Sequence, residues 1–173
     1  MKLIWWARPV NNNRFYDMIV REEGVRKYPY RDTKGIWTIS IGFTSVNGVK
    51  VSQFTPPLSE FDQMKTFYDH AFKALNIAMK FVSNFCELSD IRQEVLMGMA
   101  YQMGNRLLGF HKTKVLIEQR KFEGASIEML DSEWNRKDSP NRAKRMSQLF
   151  KIGWNKNEYK ISRKKNRPNY EVF

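Results

Sequence analysis

The chain has 173 residues, 42% of them apolar and including 12 Phe and 5 Trp, which is enough for one well-packed domain or two small lobes sharing one fold. Thirty Lys and Arg against 18 Asp and Glu leave a formal net charge of +12, which favours polyanionic partners without choosing between nucleic acid, anionic membrane and cell envelope. Cys86 is the one cysteine, which excludes an intrachain disulfide, and no apolar run reaches the roughly 7–15 residues of a signal peptide or the about 20 of a spanning helix.

In chain order, residues 1–12 read as an irregular leader ending in asparagines. Asn13 can cap a short helix over 14–23, with Gly24 as its stop. A strand over 27–31, a turn at Asp32-Thr33-Lys34-Gly35 and a β-rich run over 36–41 predict a hairpin, and Asn47-Gly48 hints at a second. After Pro56 and Pro57, Leu58, Phe61, Met64, Tyr68, Phe72, Leu75 and Met79 recur at helical spacing, predicting a long amphipathic helix started by Ser59 with Asp62 as capping partner. Further helices are expected from Asp90, behind Ser89, to Gly104; over 113–119; over 126–134; and over 141–152, behind Ser139 and Pro140. Residues 155–173 form a basic tail, read as a solvated end or as an anchor on anionic polymers. The pattern is mostly helical α+β: a leader (1–12), a domain (13–154) divided into a small α+β lobe (13–57), a connecting helix (58–82) and a helical lobe (83–154), and the tail. A cleft between two lobes is a favoured place for a site.

The chemistry lies in EEGVRKYPYRDTKGIWTISIGFT, residues 22–44. Glu23 ends a helix, while Asp32 and Thr38 fall on the hairpin that follows. Folding the hairpin beside the helix gathers two carboxylates and a hydroxyl, the set needed to cleave a glycosidic bond: one acid protonates the leaving oxygen, and the other group holds the attacking water. Glu23 faces the negative end of a helix dipole, whereas Asp32 stands among Arg31 and Lys34, the contrast of environments an acid and a base need. Spacing alone also fits an ordinary solvated helix end and an ordinary turn aspartate.

The same segment resembles the catalytic signature of the T-even phage lysozymes, glycoside hydrolase family 24: Glu23-Gly24, Tyr30-Arg31-Asp32, Gly35, Thr38 and Gly42 match in order and spacing. AYQMGNRLLGF (100–110) and SPNRAKRM (139–146), with Trp134 between them, are similar to the family's helical-lobe signatures. The resemblance implies a lysozyme-like two-lobed fold and a muramidase cutting the β-1,4 bond between N-acetylmuramic acid and N-acetylglucosamine. It makes Glu23 the general acid, with Asp32 and Thr38 positioning water. Thr44, Tyr101, Gln102, Met103 and Gly104 would contact substrate, with Thr113 a weaker saccharide contact. Arg142 would support Glu23 from behind, and a Glu22→Gln change is expected to be mild.

Ser40 and Phe43 depart from the family pattern, standing where it has Gly and His, and Glu128 stands near a family saccharide-binding Asn. The implied partner is bacterial peptidoglycan, attacked by a monomer that waits in the host bacterial cytoplasm, leaves through a holin and acts in the periplasm. His70, His111 and Cys86 lack metal-ligand spacing, so no metal and no cofactor is expected, and Cys86 reads as a buried small hydrophobe. Alternatives are a lytic transglycosylase, a virion-borne wall-puncturing lysozyme, an inactive wall-binding relative and a basic nucleic-acid-binding protein. No nucleic-acid-binding signature accompanies the charge, so that partner is not expected.

Overall fold

The computed structural model of the chain describes residues 12–32 and 35–153, with side chains from Arg14 onward. The leader as far as residue 11 and the basic tail lie outside the described residues.

Helix α1 (Asn12–Glu23) starts inside the asparagine run, earlier than its expected cap, and ends where the Gly24 amide donates to the Val20 carbonyl at 2.9 Å. Strands β1 (Arg26–Arg31) and β2 (Trp37–Ser40) pair antiparallel, with Tyr30 opposite Thr38. Strands β3 (Ser45–Val46) and β4 (Val49–Lys50) make the second hairpin around Asn47-Gly48, both at positive φ as a tight two-residue turn requires.

The long helix α2 (Glu60–Phe81) is capped as expected: the Asp62 amide donates to Ser59 Oγ at 3.1 Å. Its expected apolar stripe is only partly inward. Leu75 is buried and Leu58, Met64 and Tyr68 pack against the core, but Phe61, Phe72 and Met79 are exposed, and the buried face turns toward Phe67, Ala71, Ala74, Ala78 and Phe81. Three alanines on that face let α3 (Asp90–Met103) approach closely, and burial of the larger side chains around them drives the packing.

Helix α3 keeps both expected ends, but Ser89 does not cap it through its side chain; its hydroxyl donates to the Gly153 carbonyl at 3.0 Å. Cys86 is exposed rather than buried, because Phe85 takes the inward place in the single 3₁₀ turn Phe85–Glu87.

A 3₁₀ segment (Gly104–Gly109) leads to α4 (His111–Glu118), α5 (Phe122–Leu130), a π-helical turn (Trp134–Asp138) and α6 (Pro140–Ile152). Helix α5 begins four residues before the expected start at Ser126, whose hydroxyl donates to the Glu123 carbonyl, and Trp134 lies beyond the helix end.

Although grouped by chain order with the small lobe, α1 packs on α3. A Cβ at Gly98 would lie 2.9 Å from the terminal methyls of both Met18 and Met146, so α1 and α6 cross α3 closely there. Arg14 also clasps Glu94, with Nε donating to Oε2 at 2.7 Å. Glu94 is fully buried, and burial raises its pKa against the opposing pull of Arg14. Removing one partner of such a pair costs about 3–5 kcal/mol, so this contact fixes where α1 sits.

Candidate active site

Placing Glu23 depends on two features of α1: it is the last helical residue, and its neighbour Glu22 is anchored. The Glu22 side chain is only 2% exposed and is ringed by Arg142 at 3.4 Å, Arg21 at 3.5 Å and the Arg145 guanidinium, whose Nε donates to Oε1 at 3.1 Å. Burial alone would raise the Glu22 pKa, but hydrogen bonding and charge from Arg145, with Arg142 and Arg21, outweigh it and hold it below the usual value. Losing Glu22 would take one of two carboxylates from Arg142, itself 7% exposed. Arg142 also reaches Glu23, with Nη2 at 2.8 Å from Oε1, so one guanidinium holds both carboxylates. Unlike Glu22, Glu23 keeps 24% of its side chain exposed.

Gly42 bounds Glu23 on another side. A Cβ there would lie 3.0 Å from Glu23 Oε2, and the backbone φ of +84° suits glycine. Asp32 opens the β1–β2 turn: its Oδ1 accepts the Ile36 amide at 2.8 Å, and its carbonyl accepts the Gly35 amide at 2.9 Å. Thr38 is buried in β2, its hydroxyl donating to the Ile36 carbonyl at 3.1 Å.

These side chains share one cleft of about 460 Å³. Glu23 lines it from the end of α1, Asp32, Thr38 and Thr44 from the hairpin side, and Tyr101, Gln102, Met103 and Arg142 from the helical lobe. Gly104 is not among the lining residues; it ends α3 at φ 59°. Thr113 faces a separate, larger hollow of about 730 Å³ with Lys112 and Glu128, beside the carboxylates rather than over them. The two spaces share Arg106 and Trp134. Trp134, 2% exposed, is both core and wall: its Nε1 donates to Gln102 Oε1 at 2.9 Å, and Gln102 Nε2 donates to Ser139 Oγ at 2.7 Å. Tyr30, Ile36, Asp138 and Ser139 also line the cleft without having been read as site residues. Tyr30 lay inside the matched block, whereas Ser139 was read only as a cap.

Phe43, where the resemblant family has His, is fully buried and packs on His70 with ring centroids 5.1 Å apart. Burial and Lys73 lower the His70 pKa, against Asp69 and a hydrogen bond with the Ser45 backbone. Folded His70 thus resists a proton that the unfolded chain accepts near pH 6.5. Its stabilising contribution is present above about pH 6.5 and is lost as pH falls from there through the folded pKa. Melting temperature measured from pH 7.5 to 5 is expected to fall more steeply for wild type than for His70→Gln; equal slopes would rule out this residue as the cause.

A small hairpin lobe and a helical lobe, joined by one long helix and closing on paired carboxylates, define a lysozyme-like α+β glycosidase. The sequence profile of the family described as phage lysozyme matches residues 20–152, and the chain belongs to that family. It is 28% identical over 162 residues to "Probable T4-type lysozyme 1" of Dictyostelium discoideum, covering 79% of this chain and 93% of the relative. It is also 28% identical over 169 residues to "Probable T4-type lysozyme 2" of the same organism, covering 83% and 96%. The protein is a glycoside hydrolase of muramidase type.

Proposed function

We propose that the enzyme hydrolyses the β-1,4 bond between N-acetylmuramic acid and N-acetylglucosamine in bacterial peptidoglycan, with Glu23 as general acid. The observation that carries this is the placement of Glu23 between Arg142 and Gly42, partly open to a cleft that Asp32 and Thr38 also line. Glu23 protonates the glycosidic oxygen as the bond to the anomeric carbon breaks. Asp32 takes a proton from the attacking water, and Thr38, whose hydroxyl proton is already engaged by the Ile36 carbonyl, offers an acceptor lone pair to that water. The family resemblance supports attack from the face opposite the departing sugar, and so inversion.

The larger hollow extends the same wall past Trp134, with room for further sugars or a stem peptide. The biological setting that fits is host lysis by a phage enzyme released through a holin.

Asp32→Asn and Thr38→Ala are each expected to lower kcat by about 10²–10⁴-fold with a smaller effect on KM. The wild-type product from the β-linked substrate is expected to be the α anomer. Near-wild-type kcat in both variants would remove the water-positioning roles. A 1,6-anhydromuramic product would make the enzyme a lytic transglycosylase, and a β anomer would reject inversion.

A further inference from the structure

We propose that Ser40 is a positioning residue for the acid, holding the loop that carries Gly42 against Glu23 through a tether to Gln63 and Tyr16; this rests on the reading of Glu23 as the acid. Ser40 ends β2 with φ of 57°, a left-handed conformation that L side chains rarely adopt. It is 2% exposed and is not among the residues lining the cleft. Its hydroxyl donates to Gln63 Oε1 at 2.7 Å, and Gln63 Nε2 donates to Tyr16 Oη at 3.0 Å. One amide on the first turn of α2 therefore ties the end of β2 to α1.

Immediately beyond Ser40 the chain reverses. Ile39 and Phe43 exchange both backbone hydrogen bonds at 2.9 Å, which leaves Ser40, Ile41 and Gly42 as a three-residue loop. The Tyr101 hydroxyl faces the Ile41 carbonyl at 3.5 Å, a weak further restraint. The far end of the loop is Gly42, pressed on the Glu23 carboxyl. Tyr16 and Glu23 lie on the same helix, about 10 Å apart along its axis at 1.5 Å per residue. The loop is thus hydrogen-bonded through Gln63 to Tyr16 on α1, and its far end lies so close to Glu23 that a Cβ at Gly42 would be 3.0 Å from Oε2. A short loop held at both ends has little freedom, and neither does the carboxylate it presses on. Without the Ser40 hydroxyl one fastening is gone, the loop can lift, and Glu23 gains orientations that do not reach the glycosidic oxygen.

The test uses the whole protein with a soluble chitooligosaccharide or short glycan-strand substrate, well below the melting temperature of every variant. Ser40→Ala is expected to lower kcat by about 10–100-fold, the scale of a small misplacement, while KM stays within about 2-fold. Gln63→Leu is expected to match it, and the double variant to lose no more than either single one. Gln63→Glu restores activity, because a carboxylate accepts from Ser40 while the Tyr16 hydroxyl turns to donate. Ser40→Gly relieves the backbone strain yet remains slow, which separates the tether from the loop conformation. Wild-type kcat in Ser40→Ala, or additive losses in the double variant, would overturn the tether. Glu23→Gln measured alongside separates the two readings: if it is active, the assignment of the acid fails and the tether's role with it. If it is inactive while Ser40→Ala turns over normally, the tether alone fails.

Discussion

Glu23→Gln is expected to fold as wild type and to lose lytic turnover by about 10²–10⁴-fold or more, because an amide has no acidic proton for the leaving oxygen. The structure explains why the fold should survive. Gln Oε1 can still accept from Arg142 Nη2, now at 2.8 Å from the carboxylate, and Arg142 retains Glu22 as a counter-charge. Glu22→Gln is expected to do the reverse. It lowers the melting temperature, because the buried Arg142 loses the buried carboxylate beside it and keeps Glu23 as a counter-charge, and it affects activity through Arg142. The pair of variants therefore separates the acid from its support. Two measurements suffice: clearance of permeabilised cells, and thermal unfolding of both proteins. Full activity in Glu23→Gln would move the acid elsewhere; an unaltered melting temperature in Glu22→Gln would mean the buried Glu22–Arg142 pair contributes nothing to the fold.

Much of this arrangement was legible in the sequence because it is local. Glu23, Asp32 and Thr38 fall within residues 22–44, so one helix end and one hairpin bring them together. The ends of α3 were legible for a similar reason: Asp90 behind Ser89 and Gly104 mark both boundaries chemically. The start of α5 was less legible: the expected helix began at Ser126, whereas Phe122–Ala125 already form its first turn and Ser126 hydrogen-bonds back to the Glu123 carbonyl.

The buried face of α2 was only partly legible, because the helix is apolar over a wide arc. Periodicity picks out Leu58, Met64, Tyr68 and Leu75, which do meet the core, but also the larger Phe61, Phe72 and Met79, which are exposed, while the core takes the alanines that admit α3. Contacts that join distant segments left no local trace. Arg142 lies 120 residues from Glu22 and was placed only through resemblance. The Ser40, Gln63 and Tyr16 chain joins three elements that nothing in their spacing connects. The same holds for Gly42, which was matched as a motif glycine but whose reason, a carboxylate where its side chain would be, is visible only in three dimensions.

That reason can be tested by adding the missing carbon. Gly42→Ala places a Cβ 3.0 Å from Glu23 Oε2, 3.2 Å from Cδ and 3.3 Å from Cγ, closer than carbon and oxygen normally approach. The neighbour that must move is the acid itself, and Arg142 on Oε1 restricts where it can go. The backbone adds a second cost, since φ of +84° disfavours alanine by about 1–2 kcal/mol. Gly48 provides the control. Its φ is +81°, nearly the same, but a Cβ there meets nothing within 4 Å. Both alanine variants should therefore lose similar stability through the backbone, while Gly42→Ala alone loses kcat, by about 10²-fold for a displaced acid. Thermal unfolding and initial rates on a soluble glycan, measured for both, decide the matter. Equal rates in the two variants would mean that the contact with Gly42 does not aim Glu23, and that the glycine serves only to turn the chain.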